Sequence, residues 1–357
     1  MNLTRAASVL LFGLTLLMVG CADTHLILNP TDSEKNATPK VWPSPPDRPR
    51  YRYVGELTGE DNFRPDNWAN PTNAEKVFNW LIGLAESNEK PNTLLRPLSG
   101  MVDAEGRIYV TDLGRGAVLV FDKPAGKLIT WERARGGERF VSPVGITQGA
   151  RNEILVSDSE LRGVFRFNTE GEMLGEIGRD ILERPTGLAR DAKRGILYVA
   201  DTRAHDIKVF NDDGQLMNVI GQRGEREGEF NFPTYLSFVA DKLYVTDTLN
   251  SRIQIFDPDG NFVSTFGKIG LNVGNLVRPK GVALDSAGNI YVIESLYDNM
   301  LVFDGKGRTL FALGGYGNGI GQFYLPADIW IDSHDQVYIA DMYNSRITIL
   351  QFLGEPQ

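Results

Sequence analysis

The sequence predicts an all-β protein, a six-bladed β-propeller, and three observations carry that reading. A strand-like stretch ending in an acid recurs six times, at Asp112, Asp158, Asp201, Asp247, Glu294 and Asp341, with spacings of 46, 43, 46, 47 and 47 residues. A proline opens each unit, at 97, 143, 185, 233, 279 and 326, with spacings of 46, 42, 48, 46 and 47, so two independent markers share one period. The third observation is turn density: 38 glycines in 357 residues, without a collagen-like period, imply many tight turns between short strands. After each acid a second apolar strand closes on Phe121, Phe167, Phe210, Phe256, Phe303 or Leu350, and the first five units then carry a hairpin glycine. Four short antiparallel strands in ~45 residues make a propeller blade.

Ahead of the ring, residues 1–20 combine Arg5 with an uncharged stretch from Ala6 to Val19. That stretch is too short for a bilayer span of ~20 residues and suits the apolar region of a signal peptide. The run Leu17-Met18-Val19-Gly20-Cys21 resembles the bacterial lipobox, which implies lipid attachment at Cys21, the single cysteine of the chain. Ala22 resembles the residue found in lipoproteins sorted to the outer membrane, so the expectation is an exported protein anchored to a bacterial membrane and facing the periplasm or the cell surface. More than one acyl chain at one residue gives firm anchoring. Residues 21–50 are polar, with prolines at 30, 39, 43, 45, 46 and 49, and read as a lipid-anchored, Pro-rich tether; for its last ten residues, around Trp42, ordering along the domain surface is an equal alternative.

Residues 51–95 carry two devices. The sixth repeat ends at the C-terminus without a fourth strand, and an open blade edge invites aggregation. Tyr51 to Gly59 matches the fourth-strand pattern of Asn261 to Gly267 and is predicted to complete the last blade and clasp the ring. Asn73 to Glu86 places Val77, Phe78, Leu81, Ile82 and Leu84 near one face of a short amphipathic helix expected to cover one end of the ring, with docking of a partner as the alternative. Residues 96–357 then form the six blades, expected to be a monomer.

A family resemblance rests on a spacer that appears three times in register: Gly221, Gly224, Gly228, Phe230, Pro233; Gly267, Gly270, Gly274, Leu276, Pro279; and Gly314, Gly317, Gly321, Phe323, Pro326. With the Tyr-Val-x-Asp strand and with Asn250-Ser251-Arg252-Ile253 or Asn344-Ser345-Arg346-Ile347, this resembles the NHL repeat of six-bladed propellers over about residues 96 to 353. Blades 1 and 2 lack the glycine spacer.

The acids read as turn caps that accept backbone N–H bonds, with Glu294 the one departure whose longer side chain has reach toward the channel. The glycine spacers lie between strands, not between a strand and a helix, so they are turns and not phosphate loops. Some NHL-like propellers are zinc lyases that draw several histidines from different blades. Here the histidines are His25, His205 and His334, too few within the ring for the usual three-ligand zinc site. Lactonase-like propellers use channel Asp, Asn and Glu around calcium, which counting alone does not exclude. No nucleophile elbow occurs. Lys plus Arg total 37 against 46 Asp plus Glu, a net charge of −9 that argues against a nucleic-acid partner.

One pattern departs from the repeat. The residue before the opening proline is Arg in alternate blades, Arg96, Arg184 and Arg278, so three guanidinium groups are candidates for converging on an acidic ligand or peptide, against the alternative of ion-paired surface arginines. The leading expectation is a scaffold without a cofactor, binding a protein or peptide partner through one rim. The alternative is a metal-dependent hydrolase or lyase with its site in the central channel.

Overall fold

The computed structural model describes residues 26–30, 40–65 and 91–354. They form a six-bladed β-propeller. Blade 1 comprises Pro97–Val102, Ile108–Asp112, Ala117–Asp122 and Lys127–Trp131, each strand antiparallel to the next from channel to periphery. Blades 2 to 5 repeat that order, with inner strands Pro143–Gln148, Pro185–Asp191, Pro233–Val239 and Pro279–Leu284. The inner strands follow one another around the axis, and that of blade 6, Ile329–Ile331, lies against that of blade 1, so the ring is closed.

Closure is made by the N-terminal strand. Tyr51–Leu57 pairs antiparallel with Arg346–Phe352 in the register Phe352 to Tyr51 and Ile347 to Leu57, supplying the fourth strand of blade 6. Its alternation buries Tyr51, Tyr53 and Leu57 and leaves Arg52 exposed, as a half-buried strand requires. Val41–Trp42 adds a fifth strand by pairing with Arg52 and Tyr51. A further pair, Leu26–Leu28 with Phe63–Pro65, forms its own two-stranded sheet. The span 21–50 is therefore not tether throughout. The free edge of Tyr51–Leu57 offers hydrogen-bonding groups, and Trp42 supplies apolar surface that packs on the core of blades 5 and 6. Cys21, His25 and the predicted helix at Asn73–Glu86 lie outside the described residues.

The core consists of interfaces between blades. Six clusters of buried side chains alternate around the ring, each mixing two neighbours, as in Leu155, Val164 and Ile177 of blade 2 with Leu197, Val199 and Phe210 of blade 3. The second and third strands of each blade are covered on both faces, so Ile-Tyr-Val-Thr-Asp and Ala-Val-Leu-Val-Phe-Asp are buried at every position. The outermost strands, such as Leu216–Ile220, are largely exposed.

Candidate functional site

Antiparallel register sorts the loops onto two faces. The upper face carries the connections between blades, the opening prolines and the turns after the acids; Pro97 pairs with Asp112 and Pro279 with Glu294 at this end. The lower face carries the hairpin turns between first and second and between third and fourth strands.

On the upper face each acid anchors the loop in front of its own inner strand. Asp112 accepts the N–H groups of Leu95, Arg96 and Arg115; Asp158 those of Val141, Ser142, Glu160 and Leu161; Asp201 those of Glu183 and Arg184. Glu294 does the same work, accepting from Val277, Arg278 and Leu296, so its side chain does not extend into the channel; the extra methylene is taken up by the turn. Blades 4 and 6 differ. There the buried Asp247 and Asp341 also take the guanidinium Nε of Arg252 and Arg346, at 2.8 and 2.9 Å. Arg346 further donates to the backbone oxygens of Asn318, Gly319 and Gln322, and Arg252 to those of Arg226 and Glu229, so the Asn-Ser-Arg motif fastens the glycine spacer to the blade. Burial raises both carboxyls above the usual value despite the guanidinium beside them.

Threonine and serine next to the acids stitch blade to blade. Thr111, Ser157 and Thr246 donate to the carbonyls of Val144, Thr186 and Lys280 in the following inner strand. Ser159, Thr202 and Thr248 donate to those of Pro185, Pro233 and Pro279.

The channel holds a cavity of about 280 Å³. Two residues after each opening proline stand Ser99, Gly145, Gly187, Tyr235, Gly281 and Asp328. A Cβ on Gly187 would lie 2.5 Å from the Thr234 carbonyl oxygen, and one on Gly281 2.2 Å from Asp328 Oδ1, so glycine lets the inner strands approach around the axis. Asp328 is the exception. It is buried in the wall, accepts the Ser99 hydroxyl at 2.5 Å, and burial pushes its carboxyl up to about 7, the hydroxyl and the Ile329 N–H acting in the other direction. One level above, Lys280 follows Pro279, and its Nζ lies 6.0 Å from the centre of the Tyr235 ring. Burial, and then Arg278, push its amine below the usual value. Sequence reasoning missed both. The signal was present: the residue after the proline is otherwise Leu98, Val144, Thr186, Thr234 or Ala327, and Lys280 is the sole charge in that column.

Arg96, Arg184 and Arg278 all lie exposed on the upper face, each held by its backbone N–H to an acid. Arg184 leans toward Glu160, at 3.7 Å. Arg278 acts electrostatically on Lys280. Arg96 has no ion pair among the described residues. The same face exposes large apolar groups, including Phe232, Leu249 and Leu296, and a run of tyrosines in which Tyr324 lies 5.1 Å from both Tyr316 and Tyr343. His205 is buried and accepts the Phe232 N–H, while His334 sits in an exposed lower turn. Among the described residues no three His, Cys, Asp or Glu side chains gather as a metal site.

The fold places the protein among the six-bladed propellers: the model of a family described as 6-bladed beta-propeller matches residues 275–353. Solved structures agree on the architecture. A virginiamycin B lyase from Staphylococcus aureus is similar with a TM-score of 0.53 and 14% identity, over 72% of this chain and 95% of that one. An auxiliary nutrient binding protein from Bacteroides thetaiotaomicron gives 0.57 and 11%, over 72% and 69%. A gluconolactonase from Xanthomonas campestris gives 0.55 and 16%, over 76% and 92%. At these identities the likeness is one of fold. No curated protein matches the chain significantly in sequence.

Proposed function

We propose that this chain is an exported, lipid-anchored propeller of the NHL type that binds a protein or peptide partner through its upper face. The observation that carries the reading is the concentration of exposed apolar and aromatic side chains on that face, around Tyr316, Tyr324 and Tyr343. Aromatic groups in such a patch supply much of the binding energy at protein interfaces. Arg96, Arg184 and Arg278, exposed on the same face, favour an acidic partner. Enzymes and a binding protein share the fold, so the choice rests on the site. The alternative, a metal-dependent hydrolase or lyase, would draw its donors from the channel wall.

Crosslinking pull-down from membranes tests the reading, with the parent chain compared with Tyr316→Ala/Tyr343→Ala and with Arg96→Gln/Arg184→Gln/Arg278→Gln. The tyrosine variant is expected to lose about tenfold or more in capture, and the arginine variant to bind an acidic partner more weakly and with a flatter salt dependence. Equal capture by all three proteins would remove the upper face as the binding surface. Cys21→Ser tests the anchor separately: the protein is expected to leave the membrane fraction, and unchanged retention and mass would sink lipidation.

A further inference from the structure

We infer that Lys280, with Arg278 beside it, forms a carboxylate seat at the upper mouth of the channel. The inference rests on the upper-face reading and specifies the chemistry that enters there. The ammonium of Lys280 has no hydrogen-bond acceptor and no carboxylate partner among the described residues; its one recorded contact is the face of Tyr235 at 6.0 Å, the outer limit of a cation–π interaction. Its own carbonyl is engaged by the Thr246 hydroxyl, and its neighbour Gly281 is pinned through its N–H to the Ala327 carbonyl, so the backbone that presents the amine is fixed from both sides. The nearest acid on the channel wall, Asp328, already takes the Ser99 hydroxyl. Glu294, the acid of the same blade, spends both oxygens on the N–H groups of Val277, Arg278 and Leu296.

Lys280 is half-buried, a partly dehydrated cation without a counter-charge is unfavourable, and Arg278 adds repulsion. An arriving carboxylate relieves both at once. Elsewhere in the protein such cations are satisfied internally: Arg252 and Arg346 by buried aspartates, Arg190 by Asp212, Lys208 by Asp206. Lys280 departs from that rule near the upper end of its inner strand, Pro279–Leu284. The matching ligand is an acidic side chain or terminal carboxylate of a peptide, or a free small carboxylate. The shared chemistry is a carboxylate accepting from the lysine ammonium.

The experiment uses the ring with lysine side chains isotope-labelled, titrated with glutarate and, separately, with a triglutamate peptide and its triglutamine analogue, while the Lys280 resonance and the heat of binding are followed. Lys280→Met assigns the resonance and removes the charge; Lys280→Arg keeps it. The seat predicts a shift of the Lys280 signal with glutarate or triglutamate but not with triglutamine, a loss of about tenfold in affinity in Lys280→Met, and substantial retention in Lys280→Arg. Response to triglutamate alone assigns the seat to peptides. Response to glutarate alone leaves the seat and removes the peptide reading of the face. An unmoved Lys280 signal with every probe overturns the seat, and so does equal triglutamate affinity in the parent and in Lys280→Met; in the latter case the upper-face reading survives without it.

Discussion

The two faces of the ring are built from the same repeat and yet differ in kind. On the lower face, charged turns pair with one another: Arg107 with Asp103, Lys193 with Asp241, Arg194 with Asp259, Arg308 with Asp304. Even its wide cleft of about 810 Å³ between blades 6 and 1 is lined by groups already engaged, such as Asp103 with Arg107 and Tyr109, and Asp332 with Tyr338. On the upper face charges pair as well, Arg184 with Glu160, Arg203 with Glu183 and Arg139 with Glu132, but the outward positions add Phe232, Leu249, Tyr316 and Arg96, which has no ion pair among the described residues. The difference shows where recognition is available. A surface whose charges are mutually neutralised gains little from a partner, whereas exposed aromatics and an unpaired ammonium gain on contact.

The largest expected effect comes from removing what joins both faces. Deleting residues 51–57 takes Tyr51, Tyr53 and Leu57 out of the core, each worth about 1.5–3 kcal/mol of burial, and the sum approaches the whole stability of a domain. Chemical denaturation is expected to show no cooperative transition; a parent-like midpoint would mean that blade 6 closes without its fourth strand.

Next comes the internal scaffold of the upper face. Arg346→Ala leaves the buried Asp341 without its guanidinium and frees the glycine spacer, and the expected loss is about 3–5 kcal/mol in urea denaturation. A loss no greater than that of an exposed ion pair would show that the Asn-Ser-Arg motif is not what holds the loops.

Asp328 gives a pH signature. Its folded carboxyl titrates near 7 against an ordinary 3.8, so the fold favours the neutral acid. That stabilisation is complete below about 3.8, declines as pH rises, and is lost once pH passes about 7. Asp328→Asn keeps an acceptor for Ser99 and removes the titration. The parent is expected to be less stable at about pH 8 than at about pH 5, by an amount on the order of a few kcal/mol at most, and the variant to lose that difference and exceed the parent at the higher pH. Identical profiles for both would remove Asp328 as the source.

The smallest effect belongs to the lower face. Lys193→Ala/Arg194→Ala breaks two exposed pairs and is expected to leave the melting temperature and partner capture unchanged. Lost capture would move recognition to the lower face and invert the comparison.

The period of the acids and prolines, the alternation in Tyr51–Leu57 and the apolar runs of the middle strands were legible because a blade is a local unit: hydrophobic period and turn chemistry repeat along the chain. The sequence by itself determined six blades, a borrowed closing strand and acids that cap turns. The departures of Lys280 and Asp328 within their columns of the repeat were present there but went unread. Only the tertiary structure decided that Glu294 caps like its neighbours, that Val41–Trp42 widens blade 6, and that blade 5 presents an unpaired amine beside Tyr235. Those outcomes depend on which residues of different blades meet around one axis, at sequence separations of about a repeat or more, and a partner for a side chain is fixed by that closure rather than by its neighbours in the chain.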